Sequence, residues 1–132
     1  MKIITSRPPN FEAILKVFPG AANEGVIFSY GDTIYSPDRA VLPPQLMAHE
    51  AVHGQRQLEI GVELWWDTYL VDLGFRYQEE LLAHRVEYQE LCARHPSRGE
   101  RRAALRLVAK RLASPLYGRM VTLDKAMEDI AV

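Results

Sequence analysis

The sequence predicts a single α+β domain, mostly α, with one short β-hairpin or sheet and about five helices. Three observations predict it. Apolar residues recur at helical spacing over most of the chain, in blocks separated by Pro and Gly. Only residues 26–35 are rich in β-branched and aromatic residues. The 132 residues, 48% hydrophobic and 25% charged, suit one core and leave little room for a second.

The elements follow in order. Pro8 and Pro9 open a short helix over 10–18, with Phe11, Ile14, Leu15 and Phe18 at helical spacing and Pro19-Gly20 as its stop. Val26-Ile27-Phe28 and Thr33-Ile34-Tyr35 flank Gly31-Asp32 and read as a hairpin. Pro43-Pro44 start a helix that runs to about Ile60, with Gly61 as its stop. Its Leu46, Met47, Ala48, Ala51 and Val52 make it apolar on several sides, which predicts burial. A further helix covers 62–77, bent or ended by Gly74, and another covers 78–95. Ser97 and Glu100 have capping-box spacing for a helix to about Leu112: the Ser caps it and the Glu reaches back. Residues 114–118 form a turn, and Thr122 caps a last helix over 123–130.

Composition excludes several classes. A net charge of -1 directs no global field at nucleic acid or membrane. The single Cys92 excludes an internal disulfide and fits a reducing compartment. No stretch approaches the roughly 18 apolar residues of a membrane span, and the opening residues do not form a signal peptide. The expectation is a cytoplasmic protein without a membrane partner.

The chemistry concentrates in His49-Glu50-Ala51-Val52-His53, the pattern H-E-x-x-H, in a chain with 4 His. Four residues of helix turn about 400°, so both imidazoles lie on one face, one turn apart, and can reach one ion. Neutral imidazole suits Zn²⁺. Glu50 sits about 100° around, placed to act on a water as general base without being a ligand. Downstream, Glu80, His84 and Glu87 follow i, i+4, i+7 and form a polar stripe. The stripe offers Glu80 as third ligand, with His84 and Glu87 as supporting groups and Glu79 as the rival to Glu80. Tyr117, on a turn between Pro115 and Gly118, is a candidate donor to an oxyanion, or simply a packed turn residue. Trp65, Trp66 and Tyr69 read as core. Arg98, Arg102, Arg106 and Lys110 recur every four residues beside Arg101 and Arg111. This basic face of 98–111 is either solvated or a patch for phosphates or an acidic partner.

His49-Glu50-x-x-His53 followed by Glu80-x-x-x-His84 resembles the zincin metallopeptidases, and more narrowly the gluzincins, whose third zinc ligand is a Glu from a second helix. Gluzincins often carry Asp where this chain has His84. Over about residues 26–125 the chain is similar to small single-domain metallopeptidases of bacteriophages and their hosts. The resemblance implies a minimal zincin-like fold: a short sheet with an edge strand beside the cleft, an active-site helix, and a ligand helix behind it. Thr33, Ile34 and Tyr35, or the strand near 26–29, would then bind a peptide by strand addition. The expected function is a zinc-dependent peptidase acting on a peptide or protein, with Zn²⁺ as cofactor and Glu50 as general base. The alternative is a non-catalytic binding or assembly protein with structural zinc or none.

Overall fold

The computed structural model describes residues 1–132. In chain order it contains β1 (Lys2–Ile4), α1 (Phe11–Val17), β2 (Phe28–Tyr30), β3 (Thr33–Tyr35), α2 (Pro44–Ile60), α3 (Val62–Val71), α4 (Leu73–Arg94), α5 (Arg98–Leu112) and α6 (Leu123–Ile130). Two 3₁₀ turns, Pro19–Ala22 and Pro115–Tyr117, complete it. The fold is α+β and mostly α, as expected, with six helices. No helix is long and apolar enough to cross a membrane.

The hairpin forms around Gly31, whose φ of +63° is the positive value a two-residue turn needs at its first position. β1 was not legible in the sequence. It pairs in parallel with β3, giving the order β1-β3-β2. Three residues carry little propensity, and this strand exists only through its partner thirty residues away. As a result β3 is the central strand. Thr33 and Ile34 are buried, at 5% and 0% exposure, and both edges of β3 are paired. Thr33, Ile34 and Tyr35 are therefore closed to strand addition, contrary to the expectation.

The boundary between the middle helices also moves. α3 ends at Val71, and Asp72 caps α4 by accepting from Phe75 N–H at 3.0 Å. Gly74 lies inside the first turn of α4 rather than at a break. A carboxylate that satisfies an orphan N–H outweighs one glycine in setting a helix start. Ser97 and Thr122 cap α5 and α6 as expected. Glu100 does not reach back to complete its box, because its carboxylate lies 3.0 Å from His95 Nδ1.

Two apolar cores flank a polar seam. Phe11, Ile14, Phe18, Phe28, Trp65, Trp66 and Tyr69 form one, under the sheet and α1. Leu81, Val108, Leu112, Ala126 and Ile130 form the other, between α4, α5 and α6. Between them, α2 and α4 meet through their polar faces. The buried residues of α2 are His49, Glu50, His53, Gly54 and Gln57, while Ala51 is exposed and its other apolar neighbours are half-buried. The helix is buried as expected, but through its polar face rather than through Leu46, Met47, Ala48, Ala51 and Val52, which are half-buried or exposed. α4 buries Arg76, Glu79, Glu80, His84 and Glu87 toward the same seam.

Candidate metal centre

The seam brings His49, His53 and Glu80 together. One ligand atom from each lies within 4.8 Å of the others. His53 Nε2 is 3.2 Å from Glu80 Oε2, and His49 Nε2 is 3.5 Å from Glu80 Oε1. All three residues are at most 6% exposed. The helical spacing of the two His and the packing of α4 against α2 produce the cluster directly. Glu50 Oε2 stands 4.0 Å from His49 Nε2. Glu50 Oε2, Glu80 Oε1, His53 Nδ1 and His84 Nε2 are buried without a hydrogen-bond partner. Orphaned buried polar atoms are rare and costly. Two imidazole nitrogens and a carboxylate oxygen facing one point, with oxygens left unsatisfied, form a donor set that fits zinc.

Supporting contacts orient His49 and Glu80, whereas His53 Nδ1 has none. Glu87 Oε1 is 2.8 Å from His49 Nδ1, which leaves Nε2 for the cluster, and it accepts from Arg111 Nη2 at 2.5 Å. Tyr69 O–H donates to Glu80 Oε2 at 2.6 Å. His84 Nδ1 is 2.6 Å from the Glu80 carbonyl oxygen, one turn back on α4, and its ring stacks edge-on to His49 at 4.6 Å. Glu87 and His84 thus stand where supporting groups were expected. His49, His84 and Glu87 also lie within metal-ligating reach of one another. Arg111 already occupies Glu87, so the trio with Glu80 is the better cation site.

Glu79 points elsewhere. It accepts from Arg56 Nε at 3.0 Å and from Trp65 Nε1 at 2.7 Å. It forms a separate, half-buried ion pair with Arg56 and, with Trp65, ties α2, α3 and α4 together.

The electrostatics describe a site short of positive charge. Burial pushes His49 down, but Glu80, Glu87 and Glu50 outweigh it and raise its pKa to about 10. Burial pushes Glu80 up, yet His53 and His49 hold it well below the usual carboxylate range. Glu50 is raised, chiefly by burial. His84 falls to about 3, through burial and then the charge of His49, and so stays neutral. In the metal-free protein a proton on His49 balances carboxylates that a divalent cation would otherwise neutralise.

The cluster forms the floor of a cleft of about 530 Å³, measured with its open mouth. The inner end is apolar, with Phe18, Phe28 and Trp66. At the mouth, Val26 and Ile27 face Leu116 and Tyr117. Tyr117 packs edge-on against His84 at 5.6 Å. Its pKa is pushed well up by burial and the charge of Glu80, so it remains a proton donor. Arg76 steadies this turn: it lies 3.5 Å from the Tyr117 carbonyl through Nη1 and donates to the Tyr69 carbonyl at 3.0 Å. Of the expected peptide-binding residues, Val26, Ile27, Phe28 and Ser29 line the cleft, and Thr33, Ile34 and Tyr35 do not. The Ser29 carbonyl on β2 is already taken by Gln57 and Trp66.

Tyr69, Arg76 and Arg111 were not legible as site residues. Their partners are distant in sequence, and nothing in their local spacing marks them. No family model, curated protein or solved structure matches the chain.

Proposed function

We infer that the protein is a zinc-dependent peptidase of zincin-like, gluzincin type. The observation that carries this is the buried convergence of His49, His53 and Glu80 beside the unpartnered Oε2 of Glu50, at the floor of an open cleft. His49 Nε2, His53 Nε2 and a Glu80 oxygen would hold the ion. When bound, zinc supplies Lewis acidity, polarising a carbonyl and bringing the pKa of a water to about 7.

The chain's own groups do the rest. Glu50 takes the proton of the attacking water and returns it to the departing amine. Its raised pKa suits a group that must both accept and release a proton near neutrality. Tyr117 donates its hydroxyl proton in a hydrogen bond to the developing oxyanion. Tyr69 and Glu87 fix Glu80 and His49 in orientation. Val26-Ile27 on one wall and Leu116-Tyr117 on the other hold an extended peptide, with an apolar side chain directed to the aromatic inner end.

One observation favours a non-catalytic binding or assembly role with structural zinc: His84 and Glu87 each offer a ligand atom within 4.8 Å of one on His49, a second possible donor set beside the first. Metal analysis of purified protein, together with Glu50→Gln, separates the readings. The peptidase reading expects one zinc per chain in both proteins and loss of peptide cleavage by at least roughly 10²-fold in the variant. Absence of metal, or cleavage that survives the substitution, sinks it.

A further inference from the structure

The basic face of α5 takes no part in the proposed peptidase chemistry. The helix holds Arg98, Arg101, Arg102, Arg106, Lys110 and Arg111 against Glu100 alone, while the whole chain has a net charge of -1. The remainder of the molecule is therefore net acidic, and this helix carries 6 of the 16 Lys and Arg side chains against one carboxylate. All of these cations except Arg111 are exposed, and none of the exposed ones lies within ion-pair distance of a carboxylate. With no carboxylate in reach, the row is free to meet an outside anion.

The row has a direction. Arg98, Arg102, Arg106 and Lys110 advance about 40° per step around the helix, in parallel with the buried stripe of Ala104, Val108 and Leu112 on the roughly opposite face. Arg111 follows Lys110 and turns onto the flank that meets α4, where it reaches Glu87 and lines the mouth of the cleft with His49, Glu50 and Tyr117. Across that mouth stands Arg39, exposed and likewise without a carboxylate partner. Glu24 and Glu50 are also at the mouth, and Arg111 is already paired with Glu87, so the unpaired cations are Arg39 and the exposed row on α5.

We propose that this track of cations from α5 to Arg39 is a docking surface for an acidic polypeptide segment flanking the bond to be cleaved. The term substrate rests on the peptidase reading; the docking itself does not. A polypeptide fits better than nucleic acid on two counts. No aromatic side chain stands among the α5 cations to stack a base. The track also ends in a cleft whose floor is the His/Glu cluster, and the acidic remainder of the surface repels a long polyanion.

The test is fluorescence anisotropy with the full chain carrying Glu50→Gln, so that nothing is cleaved. The probes are a labelled peptide with a Glu/Asp-rich flank, its Gln/Asn counterpart, and duplex DNA. The acidic peptide is expected to bind roughly tenfold tighter than the neutral one, with an advantage that fades as salt rises. Arg102→Gln/Arg106→Gln/Lys110→Gln, exposed positions away from the ligands, should abolish that difference and leave the melting temperature unchanged. Equal binding of the two peptides, no response to the triple variant, or duplex DNA displacing the acidic peptide at lower concentration than the peptide itself overturns the proposal. Acidic-peptide binding by a protein that neither holds zinc nor cleaves would uphold the docking surface and sink the peptidase reading alone.

Discussion

Tyr69 on α3 and Glu80 on α4 are joined by a 2.6 Å hydrogen bond inside the molecule, with the tyrosine hydroxyl donating to Oε2. Burial and the charge of Glu80 keep that hydroxyl protonated far above neutrality. The same ring stacks on Trp65 at a centroid distance of 4.7 Å. One residue therefore belongs to the apolar core through its ring and to the His/Glu cluster through its oxygen.

That double role can be split. Tyr69→Phe keeps the ring and removes the oxygen, leaving Glu80 Oε2 with His53 alone. Zinc affinity should fall roughly 10- to 100-fold, the usual effect of losing an orienting partner. The melting temperature in excess chelator should barely change. Competition with a chromophoric chelator measures the first quantity and calorimetry the second. An unchanged affinity would mean that the hydroxyl does not hold the ligand.

Glu79 and Glu80 are neighbours with opposite expected phenotypes. Glu79→Gln leaves Arg56 and the Trp65 indole N–H around an uncharged amide, at a cost of roughly 2 kcal/mol. The melting temperature should drop by a similar amount with or without zinc, and zinc affinity should stay within a few-fold. Glu80→Gln should lose zinc and make the melting temperature indifferent to chelator. The reverse pattern would move the ligand to Glu79.

Much of the centre was legible because its spacing is local. A helix places His49 above His53 whatever surrounds it, and the i, i+4, i+7 row of Glu80, His84 and Glu87 is equally self-contained. The direction in which those faces point was not legible. Leu46, Met47 and Val52 suggested an apolar contact for α2, whereas packing turned His49, Glu50, His53 and Gln57 inward. Inward-facing polar groups are stabilised by Ser29, Tyr69, Glu87 and Arg111, all remote in sequence. For the same reason Thr33–Tyr35 read as an available strand: its second edge is covered by β1, whose three residues mark nothing on their own.

The last helix gives a pH-dependent stability that involves no metal ligand. Asp129 on α6 is hydrogen-bonded to Tyr77 on α4 and lies 2.8 Å from Lys125 Nζ. Lys125 and then Tyr77 hold its pKa below the ordinary carboxylate value, so the folded state binds the proton less readily than the unfolded chain. The stabilisation is fully present above about pH 4 and disappears as pH falls below it. Asp129→Asn should lower the melting temperature by roughly 3 °C near neutrality, corresponding to about 1 kcal/mol. The gap between the two proteins should close as pH falls through the lowered folded-state pKa of Asp129. A gap that persists in acid would assign the effect to packing rather than charge.

Gly54 is the contact point between the metal helix and the hairpin. A Cβ there would stand 2.7 Å from the Gly31 carbonyl oxygen and 2.8 Å from Met1 Cε. The Met side chain can move, but the carbonyl cannot. Gly31 N–H is held by Gln57 Oε1 at 2.7 Å, Gln57 Nε2 donates to the Ser29 carbonyl at 3.0 Å, and Ser29 Oγ donates to the Glu50 carbonyl at 2.9 Å. In an open helix, Gly→Ala would stabilise by up to about 1 kcal/mol. Here the overlap should cost more, roughly 2–3 kcal/mol gross, so the net effect is destabilising. α2 can relieve the overlap only by moving away from the turn, and His53 is the residue next to Gly54. Gly54→Ala should therefore lower both the melting temperature and the zinc affinity, read by calorimetry and chelator competition on one preparation. A stabilised variant with undiminished zinc affinity would show that the hairpin and α2 are not in the tight contact on which the position of His53 depends.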